Sequence, residues 1–419
     1  MVEKSTLDNG IRVVSEQMPG VHSVTLGIWV TNGSRHESSV ENGISHFIEH
    51  MLFKGTRRRD AQAIAKEIDS VGGVLNGFTA REYSCYYAKV LAEKLPLAVD
   101  LLSDIILNSS FHLDEMEKER KVLLQEISMV EDTPDDQIHD LFSQMVWEGH
   151  PLGLSVLGTR ETVGSLCRDD LLAFLEQRYC GCNILICAAG QLEHSQLVDA
   201  VSTAFRSVPR GRPLPQGPLP TYQRRMNVVE KDLEQVHICL GTQALPQNHP
   251  QRFDAYILNA ILGSSMSSRL FQTIREERGL AYSIYSYLNC HSDAGALVAY
   301  AGTSPGDALD AVSLMLKELN RFKIELVSED ELSAAKEQLK GHLLLSLENT
   351  DNRMTRLAKN EIYLDRNMSL QNVLDSFDRV DRQDVQRLAE FIFQDDFLNL
   401  QLIGKISGRD FPLLDLTLG

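Results

Sequence analysis

His46-Phe47-Ile48-Glu49-His50 sets two imidazoles and a carboxylate within five residues. On a helix, His46 and His50 are four apart and project from one face, and Glu49, three from His46, shares it. Two imidazoles so placed supply two corners of a tetrahedral metal site. A carboxylate on that face can take the proton of a water that a zinc ion acidifies, so that the water attacks a carbonyl. The order H-x-x-E-H inverts the better-known H-E-x-x-H, and both occur among metal-dependent peptidases. The competing explanation is an exposed amphipathic helix with incidental histidines. Ile44, Phe47, Ile48, Met51 and Leu52 leave that helix little polar face, so its histidines and Glu49 need partners.

A catalytic metal needs a third protein ligand and one open position. The segment 114–130 reads as a helix whose stripe is Glu119, Val122-Leu123, Glu126, Ile127 and Val130. Two carboxylates stand there where the pattern asks for apolar residues. A cation would neutralise them. Glu115, Glu117 and Glu131 lie off the stripe and read as solvated. The pattern equally admits a charged surface with local pairs to Lys118, Arg120 and Lys121.

These residues reach a resemblance. Residues 41–56 (ENGISHFIEHMLFKGT) and 118–126 (KERKVLLQE) resemble the pitrilysin/insulinase family of zinc peptidases, in its mitochondrial-processing-peptidase-like branch. The resemblance implies His46, His50 and Glu126 as ligands of one zinc per chain and Glu49 as general base. It implies Glu119 as a carboxylate that orients a ligand histidine. Gly72-Gly73-Val74-Leu75-Asn76-Gly77-Phe78-Thr79 resembles the family's edge strand, on which substrate adds as an extra strand. The resemblance implies Asn76, Gly77 and Phe78 as substrate-binding residues, with Gly77 where the family usually has Ala. The segment Ile274 to Ser283 resembles the family's Arg/Tyr segment, which implies Arg275 and Tyr282 as holders of the substrate carbonyl. Arg278 shares the segment, and the residues alone do not choose between it and Arg275. Two acids ten and fourteen positions after the Glu ligand read Arg in processing peptidases; here they are Asp136 and Asp140. Asp132-Thr133-Pro134-Asp135-Asp136 is also a good helix start, which explains some of these acids without a substrate.

The elements that must position these residues read as α+β. Within the first half, strands (11–14, 24–30, 74–78, 83–90, 184–189) are set among helices (42–52, 61–71, 98–107, 114–130, 135–147, 171–179). Asn9-Gly10 is a hairpin signal. Such an order predicts a mainly antiparallel sheet with helices packed on one face. Five of the 13 prolines lie between Pro209 and Pro220, so 209–225 reads as an extended linker between domains 1–208 and 226–419. The halves echo each other. Val13-Val14, Val21-His22 and Leu26-Gly27 match Val228-Val229, Val236-His237 and Leu240-Gly241, and two further segments match in order. That argues for two homologous domains. The second half has no H-x-x-E-H. The position repeating Glu126 falls near His342, without metal partners, so one metal site is expected.

The resemblance also implies half of a clam-shell chamber, completed by a homodimer; a hetero-partner lacking the motif remains the alternative. The function expected is a zinc metalloendopeptidase acting on short unfolded or presequence-like peptides. The alternative from another class is a non-catalytic scaffold subunit of the same family.

The 419 residues carry 41 basic and 58 acidic side chains, a net charge of −17. So acidic a chain repels phosphates, which argues against nucleic acid and anionic membranes and favours basic peptides. The charge concentrates: residues 113–140 hold ten acidic and three basic side chains, net −7. The first residues lack an apolar signal region, and no apolar run approaches the ~20 residues of a membrane span. Seven cysteines suit reduced thiols in the cytoplasm. Cys180, Cys182 and Cys187 could form a metal knuckle, but a helix running into an apolar strand explains them better.

Overall fold

The computed structural model describes residues 2–215, 217–406 and 416–418. Gln216 of the expected linker, and Met1, 407–415 and Gly419 of the expected domains, lie outside the described residues. The chain forms two compact units, each drawn from three segments. Unit 1 takes residues 1–129, 154–217 and 345–367; unit 2 takes 130–153, 218–344 and 368–419.

Unit 1 is built on a six-stranded sheet. Its strands are β1 (Val2–Thr6), β2 (Arg12–Gln17), β3 (Ser23–Val30), β4 (Val74–Thr79), β5 (Ser84–Leu91) and β6 (Ile184–Gly190). Their order is β1-β2-β6-β3-β5-β4. Only the β2–β6 pair is parallel. The turn between β1 and β2 passes through Gly10 at φ +90°, a left-handed conformation that glycine adopts without strain. β1 is missing from the sequence-based elements because its five residues, VEKST, lack apolar alternation. It pairs by its backbone.

Alternation in β3 explains how both sheet faces are covered. Val24, Leu26, Ile28 and Val30 point into one core. There they meet Phe47 and Ile48 of α1 (Ile44–Leu52), Ile64 and Ile68 of α2 (Ala61–Ser70), and Leu101 and Ile105 of α3 (Leu95–Asn108). Trp29 points the other way, with Cys85, Leu185 and Cys187, against Met354, Leu357 and Ala358. Those three belong to the helix Thr350–Tyr363, from the second half of the chain. Besides the helical layer expected on one face, the opposite face thus carries one further helix.

Unit 2 repeats this plan. Its strands are β7 (Arg225–Glu230), β8 (Val236–Ala244), β9 (Ala281–Cys290), β10 (Gly295–Thr303) and β11 (Asn399–Gly404), in the order β7-β11-β8-β10-β9. Matched strand for strand, this is the β2-β6-β3-β5-β4 order of unit 1, including one parallel pair, β7–β11. The duplication read from three short sequence echoes is therefore present in the topology. One face packs on helices that include Arg252–Gly263 and Ala308–Ile324. The other face packs Cys239, Val298 and Ile403 on Ile138, Phe142 and Val146.

Those last three residues lie on α5 (Pro134–Val146), which follows α4 (Leu113–Glu131) in the first half of the sequence. The segment 209–224, where described, forms neither helix nor strand, as the ring-locked φ angles of its five prolines favour.

Candidate metal centre

Helix α1 carries the H-x-x-E-H residues and is held from three sides. Its start is fixed by Glu37, which is only 3 % exposed. Glu37 Oε2 accepts from Gly43 N at 2.8 Å and Asn42 Nδ2 at 3.1 Å, and Oε1 accepts from Ser45 N at 2.9 Å. An anion thus satisfies backbone donors at the positive end of the helix. Burial pushes the Glu37 carboxyl up, and these hydrogen bonds oppose the shift. Gly43 has φ +93°, and a Cβ there would lie 2.8 Å from Leu157 O, so the position requires glycine.

The second support is α4. Its buried residues Met116, Leu123 and Ile127 turn the Glu119–Glu126 stripe inward. Glu126 Oε2 lies 3.7 Å from His46 Nε2 and 3.6 Å from His50 Nε2. The ligand atoms of His46, His50 and Glu126 all fall within 4.8 Å of one another, and no other group of three or more metal-binding side chains converges so among the described residues. The Cys180–Cys182–Cys187 knuckle does not form. Cys180 and Cys182 bring their sulfurs within 3.5 Å, but Cys187 is packed with Trp29 on the opposite sheet face. Among the described residues, His342, on the helix Glu329–Ser346, has no such partners.

Glu119 is 5 % exposed and makes two contacts. Oε2 accepts from His50 Nδ1 at 3.0 Å, and Oε1 receives Lys54 Nζ at 2.7 Å. The hydrogen bond holds a proton on His50 Nδ1 and turns Nε2 toward Glu126. Lys54 is absent from the sequence-based site; it stands four residues after His50, just past the end of α1. Off the stripe, Glu115 pairs with Lys118 and Glu117 with Arg120 on the surface. The charged-surface explanation of α4 holds for those two acids and fails for Glu119 and Glu126.

Do these residues fit a metal? Burial, and then the neighbouring His50, lower His46 to about 4, so its ring is neutral near pH 7. A carboxylate facing two imidazole nitrogens at 3.6–3.7 Å makes no hydrogen bond to either. Two imidazoles and one carboxylate are the donor set of an open tetrahedral site of the zinc type. The residues fit.

The third support is β4, the edge strand of the unit 1 sheet. Its last residue, Thr79, donates from Oγ1 to Glu49 Oε2 at 2.6 Å. Burial pushes the Glu49 carboxyl up; Thr79 and His50 pull it down, and Glu126 adds to the rise. Along the same strand, Asn76 is exposed and accepts from Gly77 N at 2.8 Å. A Cβ on Gly77 would meet Phe53 at 3.1 Å and Tyr86 at 3.2 Å, so glycine makes room for both rings. Phe78 stacks edge-on against Trp29, 5.6 Å between centroids.

The remaining candidates lie in unit 2. Arg275 stacks its guanidinium over Tyr282, 4.9 Å from the ring centroid, and over Phe271 at 4.7 Å. Arg275 sits in the π-helical segment Phe271–Glu276, and Tyr282 is 78 % exposed. Asp136 is in the first turn of α5, behind Pro134 at the helix start, and Asp140 stands one turn further on. His139 between them contacts Tyr287 at 2.7 Å and Tyr285 at 3.0 Å.

Duplicated α+β units, one of them carrying an H-x-x-E-H helix with a distant Glu, define a class of metallopeptidase scaffold. The chain belongs to the insulinase family, peptidase family M16. Residues 12–160 match "Insulinase (Peptidase family M16)" and 165–339 match "Peptidase M16 inactive domain". The chain is 40 % identical over 397 residues to the uncharacterized zinc protease YmxG of Bacillus subtilis, covering 95 % of this chain and 97 % of that protein. It is 39 % identical over 396 residues to an uncharacterized zinc protease of Streptomyces coelicolor, covering 93 % and 86 %. The fold matches a protease from Helicobacter pylori with a TM-score of 0.89 at 22 % identity, covering 96 % of this chain and 99 % of that one. It also matches a chain of complex III2 from Candida albicans, with a TM-score of 0.86 at 24 % identity, covering 99 % and 98 %. Among the described residues no helix is long and apolar enough to cross a membrane.

Proposed function

We propose that this chain is a zinc-dependent endopeptidase of the processing-peptidase type, with His46, His50 and Glu126 holding one zinc. The observation that carries it is the convergence of those three ligand atoms from α1 and α4, with Glu49 next to His50 on α1. Zinc held there supplies the Lewis acidity that acidifies a water and polarises the scissile carbonyl. Glu49 takes the proton of the attacking water and passes it to the leaving amine. Its partial burial supports that role, since a carboxyl pushed upward is a better proton acceptor. Asn76, Gly77 and Phe78 offer the β4 edge to an extended peptide backbone.

The substrate class proposed is short unfolded peptides with basic residues, read by Asp136 and Asp140. A homodimer supports the remaining step: the partner subunit's Arg275 and Tyr282 would hold the substrate carbonyl and balance its developing charge. A cytoplasmic location is supported by the seven cysteines, none in a disulfide.

A scaffold reading draws on one observation, the match of residues 165–339 to "Peptidase M16 inactive domain". The complete metal-type site in unit 1 favours catalysis. Glu49→Gln decides between them. The variant is expected to keep zinc at one per chain and to lose most hydrolysis of an unstructured Arg-containing peptide. Turnover equal to the parent's, or a parent that purifies without zinc and cleaves nothing, sinks the proposal.

A further inference from the structure

We propose that Thr79 is the positioning residue of Glu49, aiming its carboxylate from the very strand offered to substrate. This deepens the proposed function and rests on Glu49 being the base. Thr79 Oγ1 to Glu49 Oε2 is 2.6 Å, and Thr79 is the one hydrogen-bond partner of that carboxylate among the described residues. A glutamate on a helix otherwise keeps its rotamer freedom, which must be lost before the base can act.

The hydroxyl is itself fixed. Thr79 closes β4 in register with Ser84 of β5. Ala80 N donates to Tyr83 O at 2.8 Å, so the two strands are joined by a tight turn beside it. Ser84, fully buried, places Oγ 3.4 Å from Thr79 Oγ1 and 3.2 Å from Asn32 O. The Thr79 proton is therefore left for Glu49. Three residues earlier on the strand stands Asn76. Peptide docking on β4 and the aim of the base are thus properties of one hydrogen-bonded hairpin, and a shift of the edge moves both.

The test compares Thr79→Val, Thr79→Ala and Thr79→Ser in the full-length chain, using an Arg-containing fluorogenic peptide. Zinc content and thermal midpoint are measured alongside. Chelator-sensitive cleavage by the parent is established first; its absence defeats the underlying function, not the role of Thr79. Given an active parent, Thr79→Val and Thr79→Ala are expected to lower kcat at least tenfold, with KM within about twofold and zinc retained. Thr79→Ser restores most of kcat because it restores the donor. The inference is overturned if the hydroxyl-free variants keep parental kcat. It is equally overturned if Thr79→Ser falls as far as they do, or if the loss tracks lost zinc or unfolding.

Discussion

His50 Nδ1 stands 3.0 Å from Glu119 Oε2, across 69 positions of sequence. The other oxygen of that carboxylate is 2.7 Å from Lys54 Nζ. Glu119 thus sets the ring of His50 without facing the ligand cluster itself. Partners of this kind change metal affinity roughly 10–100-fold when removed. Glu119→Ala is expected to weaken zinc by that factor in competition with a chromogenic chelator. Glu119→Gln keeps an acceptor for Nδ1 and is expected to lose less. An unchanged affinity in Glu119→Ala would contradict the role.

Glu37 carries the entry to the zinc-type helix. Glu37→Ala leaves the N–H groups of Gly43 and Ser45 inside the protein without their acceptor. Each unsatisfied buried donor costs roughly 1–3 kcal/mol, so a loss of about 2–6 kcal/mol is expected in urea unfolding. A midpoint unmoved by the substitution would show that water or a neighbour replaces the carboxylate.

His36 predicts an acid-labile turn just ahead of α1. Burial lowers His36 from 6.5 to about 4, outweighing Glu82. Gly33 N donates to His36 Nδ1 at 3.2 Å, so the folded state holds that nitrogen unprotonated. The unfolded chain takes up its proton near pH 6.5. The contribution to stability is therefore whole above pH 6.5 and is lost as pH falls toward about 4. The full difference amounts to about 3 kcal/mol. His36→Asn is expected to flatten the stability–pH curve over that window. A curve as steep as the parent's would rule the assignment out.

What could be read from the sequence follows the range of each interaction. His46, Glu49 and His50 lie on one helix, so spacing alone puts them on one face. Glu126 and Glu119 are legible as polar residues on an apolar stripe, yet only packing tells them apart from Glu115 and Glu117. Thr79, Lys54 and Glu37 are ordinary polar residues in the sequence; their roles appear only when β4, α4 and the turn at Gly43 come together. The helix Thr350–Tyr363 shows the same limit. Its apolar face of Met354, Leu357 and Ala358 and the sheet that face covers both appear only in the folded chain.

That helix yields a fragment prediction. A chain ending at residue 217 would contain every strand of the unit 1 sheet but leave Trp29, Cys85, Leu185 and Cys187 uncovered on one face. An apolar sheet face of that kind aggregates or binds hydrophobic dyes. The fragment is expected to do so, and a peptide of residues 345–367 added in trans is expected to suppress it. A soluble, dye-silent fragment would mean that the face closes without the helix.

Metal removal gives the remaining prediction. Glu126 Oε2 faces two imidazole nitrogens at 3.6 and 3.7 Å. With His46 lowered to about 4, chiefly by burial, its ring is a poor cation near neutral pH and a good metal donor. These three donors come from α1 and α4, which the unfolded chain does not hold together. Zinc therefore binds the folded state and stabilises it by mass action, about 2.7 kcal/mol at a hundred times the dissociation constant. A chelator is expected to lower the thermal midpoint of the parent, and added zinc to restore it. Glu126→Ala removes the only charged donor, so its zinc-induced shift is expected to shrink to a small fraction of the parent's. The same shift in both proteins would place the metal elsewhere.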